Sequence, residues 1–409
     1  MRILFVVPYA PSRVRTRPFH LIRALSAEGH DVTVATLCGS AADWAGLDEL
    51  GLSRDALVVE RMSLARSLWN CAATLPGSEP LQASYSWHPA LASRLAALVD
   101  RGAFDAVHVE HLRGARYALA LADRTAPSTP RRPPVIWDSV DCISDLFERA
   151  ASQGRSRRVR AAARLELPRT ARLEGAMTSR VARTLATSEV DRQGLLRLAE
   201  RGAIARPGLA STIVVVPNGV DLDYFSPAAT PRDPATLVVT GKMSYHANVA
   251  AVVRLVEDVM PRVWAARPDA RLEIVGQDPS PEVRRLAVAD RVVVTGTVSD
   301  IRPYLRRATV AVAPIQYGAG IQNKVLEALA CGTPMVATPT AVAGFGGALT
   351  DEVVVADGPD ALARAVLVLL DGPARRAELS RAGRRFVETR HDWRAIAARL
   401  AEIYADARD

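Results

Sequence analysis

Lysine is nearly absent from this chain. Of its 52 Lys and Arg residues only Lys242 and Lys324 are lysine, and the other fifty are arginine. So complete a preference, in a chain rich in alanine, is a coding bias, and it discounts most arginines as individual signals. The two lysines that remain ask for an explanation. Long apolar runs are missing too. No stretch of eighteen apolar residues exists, which argues against a membrane span, and "ILFVV" is cut short by Pro8, too early for a signal peptide. Four scattered cysteines (Cys38, Cys71, Cys142, Cys331) with no C-x-x-C argue against a disulfide framework or a zinc site. They fit reduced thiols and a cytoplasmic setting. The first apolar run leads into "VVPYAPSR" without G-x-G-x-x-G, which argues against a dinucleotide-dependent oxidoreductase.

What is there reads as two α/β units. The 409 residues, 49% hydrophobic and 23% charged, exceed a single core. Short apolar runs alternate with helical periodicity. "RILFVV" precedes a helix in which Pro18 suits the first turn and Phe19, Ile22 and Leu25 share a face, with Gly29 as its stop. "DVTVATL", "DAVHVE", "PPVIWD", "RTLATS" and "TIVVVP" continue the alternation, which predicts a parallel sheet covered on both faces. Four prolines in "PNGVDLDYFSPAATPRDPAT" read as a linker. A second series follows: "TLVVTG", a helix over 248–266, "ARLEIVG", "RVVVTG", "TVAVAP", a helix from Gln322, and "TPMVAT". The expected organisation is a first domain over 1–220, a second over 221–390, and an amphipathic helix over 391–409 with Trp393, Ile396, Leu400 and Ile403 on one side. Ligands of doubly wound sheets sit at the carboxyl ends of strands, here in a cleft between the domains.

Both lysines stand at such ends. "YGAGIQNKVLEALACGTPMVAT" begins at Tyr317. Gly318 and Gly320 permit a tight turn and close approach of the backbone to a ligand. The following helix start offers free N–H groups and partial positive charge, an anion site to which Lys324 adds a compact ammonium. Glu327, at i+3, faces the same way. A carboxylate repels phosphate but accepts from ribose hydroxyls, so lysine, helix end and glutamate together describe a nucleotide diphosphate. Lys242, in "VVTGKMSYHANV", follows another strand, with Asn248 as an N-cap. The two lysines are expected to converge on one anion. The bland alternative is a capped helix with solvated Lys324 and Glu327.

These segments resemble the donor-binding signature of retaining, nucleotide-sugar-dependent glycosyltransferases of family 4, with the two-Rossmann GT-B fold. "VVVPNGVDLDYFSP", "LEIVGQDP", "VVVTGTVSDIRPYL" and the opening "MRILFVVPYAP" are similar to the same family in the same order. The resemblance implies two doubly wound Rossmann-like domains facing a cleft, with the C-terminal helix crossing back to the N-terminal domain. It implies that Glu327 holds the ribose, that Lys242 replaces a basic residue that is usually Arg, and that Gly241, Gly276, Val298, Gly318, Gly320, Ile321 and Gln322 surround the donor. Where the family often has a second Glu this chain has Ala319, and where it usually has a second basic residue it has Ala247. The pattern that remains is G-x-G-x-x-x-K-x-x-E, in which Lys324 compensates for the lost base. The implied reaction moves a sugar from a nucleotide-diphosphate sugar to an acceptor hydroxyl, with no metal and no cofactor. Asp221 and Asp223 imitate a metal-binding D-x-D but sit in the linker motif and read as turn chemistry. Leaving-group charge then falls to Lys242, Lys324 and the helix dipole.

On the acceptor side the resemblance places Glu110 next to the anomeric centre, as a catalytic candidate. His111, Asp138 and Asp141 at strand ends, and Arg15 and Arg17 in the first loop, are the acceptor-binding candidates; capping or surface roles compete for each. Between Arg149 and Arg183, ten Arg face two Glu, which is the whole of the formal excess of +8. Arg157, Arg160 and Arg164 recur at helical spacing, and Pro168 is expected to end or kink that helix. This basic face points to a lipid-linked or other anionic acceptor, or to peripheral contact with an anionic membrane at its inner face; a solvated helix competes. Nucleic acid is not an expected partner. The competing functions are a nucleotide-sugar epimerase or hydrolase on the same fold, and a non-catalytic nucleotide-binding pseudo-transferase.

Overall fold

A computed structural model describes residues 1–101, 104–125, 132–153, 157–202, 208–318 and 320–408. The chain divides into two compact units, Met1–Pro217 with Trp393–Asp409, and Asn218–Asp392.

The first unit holds seven parallel strands: β1 (Arg2–Val7), β2 (Asp31–Cys38), β3 (Leu57–Arg61), β4 (Ala106–Glu110), β5 (Val135–Val140), β6 (Arg183–Ala186) and β7 (Ile213–Val215), in the order 3-2-1-4-5-6-7. Phe5 of β1 lies between Val34 of β2 and His108 of β4. Successive side chains of a strand point to opposite faces, so β1 feeds two cores. Ile3, Phe5 and Val7 meet Phe19, Ile22 and Leu25 of the helix Thr16–Ala27, and also Trp393, Ile396, Leu400 and Ile403 of the C-terminal helix Trp393–Arg408. Leu4 and Val6 meet Leu91, Leu95, Leu112 and Trp137 on the other face. The expected apolar stripe of the tail is therefore core to the first unit.

The second unit holds β8 (Thr236–Thr240), β9 (Arg271–Val275), β10 (Val292–Gly296), β11 (Val310–Ala313), β12 (Met335–Ala337) and β13 (Val354–Val355), in the order 10-9-8-11-12-13. All of its pairings are parallel. In both sheets the strand order reverses once, between β1 and β4 and between β8 and β11. Helices diverge to opposite faces at such a point and leave the strand ends open to a ligand.

Two local expectations change. Pro168 does not end its helix, which runs Arg157–Arg180. Proline removes one backbone bond, but Glu166 accepts from Leu81 N at 2.8 Å, Arg169 donates to Leu75 O at 2.7 Å, and Thr170 and Glu174 are buried beyond it, so tertiary ties hold the helix through the defect. The helix expected over 248–266 begins at His246, is α to Arg254, π over Leu255–Val259, then α to Ala266. Pro261 lacks the N–H a regular ladder needs there, and a π turn accommodates the gap. The proline-rich linker is tied to the second unit. Arg232 donates to the carbonyls of Leu305, Arg306, Ala308, Cys331 and Gly332, closing the C-terminal ends of two helices.

Candidate functional site

In the second unit the switch point between β8 and β11 is built on glycine. Gly241 and Gly276 have φ of +149° and +156°. A Cβ on Gly276 would lie 1.7 Å from Gly241 O, so the two backbones touch where no side chain fits. Gly241 N donates to Val275 O at 3.1 Å, tying the ends of β8 and β9. A Cβ on Gly241 would lie 3.4 Å from Lys324 Nζ, so the ammonium sits over this backbone.

Asn248 fixes that arrangement. It is not an N-cap: the helix starts at His246 with Tyr245 in the cap position. Instead its Nδ2 donates to Lys242 O at 2.9 Å, and its Oδ1 accepts from Lys324 Nζ at 2.6 Å. The Lys324 helix, Asn323–Ala330, has Gln322 in its cap position with no side-chain cap hydrogen bond, and its N-terminal end carries partial positive charge. Burial lowers the Lys324 pKa to about 8 against the opposing pull of Glu327. Burial likewise raises Glu327 to about 7, with Lys324 pulling it down. Desolvation thus outweighs the attraction between the two.

The two lysines have different surroundings. Lys242 is exposed, 3.8 Å from Asp278. Asp278 in turn lines an open cavity of about 350 Å³ with Pro279, Arg284, Val294 and Thr297, at the ends of β9 and β10. Val298 follows on, packed against the core. Gly318 lies beside the Gln322 amide, Ile321 is buried, and Gly320 has φ +67° with its carbonyl pressed against Gly344. Ala319 lies outside the described residues. His246 and Tyr317 stack at 5.4 Å and share a 3.0 Å hydrogen bond beside this loop. Asp221 Oδ1 accepts from Tyr224 N at 2.9 Å, a side-chain-closed turn in the D-x-D imitation.

In the first unit the switch point between β1 and β4 brings Tyr9 to Glu110. The Tyr9 hydroxyl donates to Glu110 Oε1 at 3.0 Å. Burial, then the neighbouring Asp138 charge, raises Glu110 to about 8, against Arg17 and the Tyr9 bond. Arg17 is buried in a helix rather than lining a loop, and donates to Asp138 Oδ2 at 2.8 Å and to Pro217 O at 3.2 Å. His108 lies 3.5 Å from the same carboxylate and 2.8 Å from the Tyr404 hydroxyl. Burial lowers both His108 and His111 to about 4, so each imidazole is neutral at pH 7. Burial, with Asp191 nearby, raises Asp141 to about 7. Arg15 donates to Ala10 O at 2.9 Å and lies 5.0 Å over the Tyr9 ring. Sequence reasoning missed Tyr9, Asn248 and Arg232. Only Asn248 left a signal, as the polar residue six positions after Lys242.

The chain matches a family model described as Glycosyltransferase Family 4 over residues 14–224, and one described as Glycosyl transferases group 1 over residues 234–372. It is 34% identical over 222 residues to the GDP-mannose-dependent monoacylated alpha-(1-6)-phosphatidylinositol monomannoside mannosyltransferase of Corynebacterium glutamicum, covering 48% of this chain and 57% of the relative. It is 31% identical over 266 residues to the D-inositol 3-phosphate glycosyltransferase 2 of Catenulispora acidiphila, covering 58% and 59%. The matches thus span little more than half the length of these curated relatives. Among solved structures, the sucrose-phosphate synthase of Thermosynechococcus elongatus has TM-score 0.65 at 17% identity, covering 99% of this chain and 98% of that one, a likeness of fold.

Proposed function

The chain belongs to Glycosyltransferase Family 4, and from that premise we propose that it moves a sugar from a nucleotide-diphosphate sugar to an acceptor hydroxyl, with retention and without a metal. The observation that carries this reading is Lys324, held over the Gly241 backbone by Asn248, with Glu327 one turn further on. As the glycosidic bond breaks, negative charge grows on the departing diphosphate. A preorganised ammonium and the helix N-terminus stabilise that charge. Glu327 accepts from the ribose hydroxyls. Lys242 adds a second, exposed cation. In a front-face mechanism the departing phosphate takes the acceptor's proton, and no enzymic nucleophile is needed.

A panel of nucleotide sugars tests this, with GDP-mannose first because the corynebacterial relative is named for it. One donor raises the melting temperature, and the rise is lost in Glu327→Ala. No shift with any donor overturns the reading. Sugar released or rearranged with no acceptor present favours the epimerase or hydrolase alternative.

Contact with an anionic bilayer surface belongs to the same reading. The helix Leu64–Thr74 turns Leu64, Leu68 and Trp69 outward, at 66%, 58% and 73% exposure. Its C-terminal carbonyl, Leu75 O, receives Arg169 of the arginine-rich helix. Exposed Leu165 stands one turn before Arg169, and exposed Arg157 and Arg158 begin that helix. An apolar stripe beside basic residues suits the headgroup boundary of anionic lipid.

A further inference from the structure

Glu110 and Arg113 are close in sequence and in place, yet they do not satisfy each other. Glu110, 2% exposed, has one oxygen bound to Tyr9. Its other oxygen, Oε2, is buried without a hydrogen-bond partner. A buried polar group left unpaired costs about 1–3 kcal/mol, so it asks for a reason. Arg113 sits in the first turn of the helix His111–Ala122, half-buried. Its guanidinium lies 5.9 Å over the Tyr9 ring and 5.5 Å over the Tyr85 ring. Among the described residues it makes no ion pair and donates no side-chain hydrogen bond. Two tyrosine rings lie against it, and the charges acting on Glu110 come from Asp138 and Arg17 instead.

The helix start is fixed as well. His111 has φ +65°, its carbonyl accepts from Trp137 Nε1 at 3.2 Å, and its Nδ1 accepts from Arg113 N at 3.3 Å. Tyr9 is the common wall. Its hydroxyl bonds Glu110, its ring meets Arg113 and Arg15, and the His111 ring stands edge-on to it at 6.2 Å. One patch therefore offers a guanidinium fork with no anion and a buried carboxyl oxygen with no hydrogen-bond partner. Anionic oxygens would fill the one and a hydroxyl the other, and a single molecule can carry both.

We propose that this patch is the acceptor subsite and that the acceptor is a polyol bearing a phosphate, read by Arg113 at the phosphate and by Glu110 Oε2 at a hydroxyl. The proposal rests on the transferase reading above and names its acceptor class. A planar fork beside aromatic rings suits a phosphate better than a point charge does. The phosphate is either a free monoester or the diester of a lipid headgroup, and the same residues serve both.

The test compares inositol 3-phosphate, glycerol 3-phosphate and glucose 6-phosphate with inositol, glycerol and glucose, by calorimetry on the full chain. A parallel arm uses vesicles of phosphatidylcholine with and without phosphatidylinositol. At least one phosphate ester binds where its parent does not; Arg113→Gln weakens it about ten- to a hundredfold, and Arg113→Lys recovers only part of that. Glu110→Gln weakens the ester too, by loss of the contact to its hydroxyl. Binding of the soluble ester identifies a free phosphate, and binding only of phosphatidylinositol vesicles, lost in Arg113→Gln, identifies a headgroup. The melting shift with donor nucleotide persists in Arg113→Gln, which separates this subsite from the donor reading and shows that the variant folds. The proposal is overturned if no ester and no vesicle binds better than its uncharged counterpart, or if Arg113→Gln binds as the unaltered protein does.

Discussion

Lys324 Nζ and Asn248 Oδ1 lie 2.6 Å apart, and the same Asn248 amide donates to the carbonyl of Lys242. One side chain thus fixes the ammonium and the strand end beneath it. Lys324→Ala is expected to raise the barrier to turnover by about 2–4 kcal/mol, the loss of one preorganised charge partner. Glu327→Ala is expected to act mainly on nucleotide binding. Titration calorimetry with nucleoside diphosphate, set beside kcat, separates the two; equal nucleotide affinity in the unaltered protein and Glu327→Ala sinks the ribose assignment.

The pH dependence follows from the same pair. Glu327, raised to about 7, is protonated below that pH and gains its full acceptor strength as pH rises through it. Lys324, lowered to about 8, loses its charge as pH rises through that value. Because kcat/KM for the donor reports the free protein, its profile is a narrow bell between these limbs. Glu327→Gln flattens the acid limb, and Lys324→Arg, which keeps its charge, moves the alkaline limb upward. A profile flat from pH 6 to 9 contradicts both assignments.

Transfer in excess EDTA is expected to match transfer in Mg²⁺ within a small factor. The reason is positive: Asp221 is engaged in closing its own turn, and cationic side chains stand at the donor strand ends. Complete loss in EDTA, restored by Mg²⁺ or Mn²⁺, would show a metal in the step.

Vesicle sedimentation tests the lipid surface. The protein is expected to sediment with anionic vesicles at low salt, each nearby arginine adding on the order of 1 kcal/mol and salt weakening the whole. Changing Arg157, Arg158, Arg160 and Arg164 together to Gln abolishes it, as does Leu68→Ser with Trp69→Ser. If those two serines instead break a dimer in solution, the apolar stripe covers a second copy and the lipid idea fails.

Arg232→Ala is expected to destabilise the second unit by about 3 kcal/mol or more, since several helix-end carbonyls lose a charged donor together. It also loosens the C-terminal end of the helix that carries Lys324. Thermal unfolding and nucleotide affinity fall together; a variant with unchanged melting temperature contradicts the capping role.

Local chemistry was legible along the chain. Alternating apolar runs set out the strands, and the amphipathic tail declared its buried side, because burial of a strand or helix face is a periodic property. Gly318, Gly320, Lys324 and Glu327 could be read together because they share one turn and one helix start. Asn248 was read as a cap because its partners are not local: it meets Lys324 across 76 positions, once β8 lies beside β11. Tyr9 meets Glu110 across 101 positions only because β1 lies beside β4. Pro168 reads in the sequence as an end or a kink because proline's local cost is visible there, whereas the bonds of Glu166 and Arg169 that carry the helix past it are not. Periodicity tells each residue which face it occupies and says nothing of which strand stands next to which. Strand order, decided by how the whole sheet packs, is what brings these distant polar groups to one place.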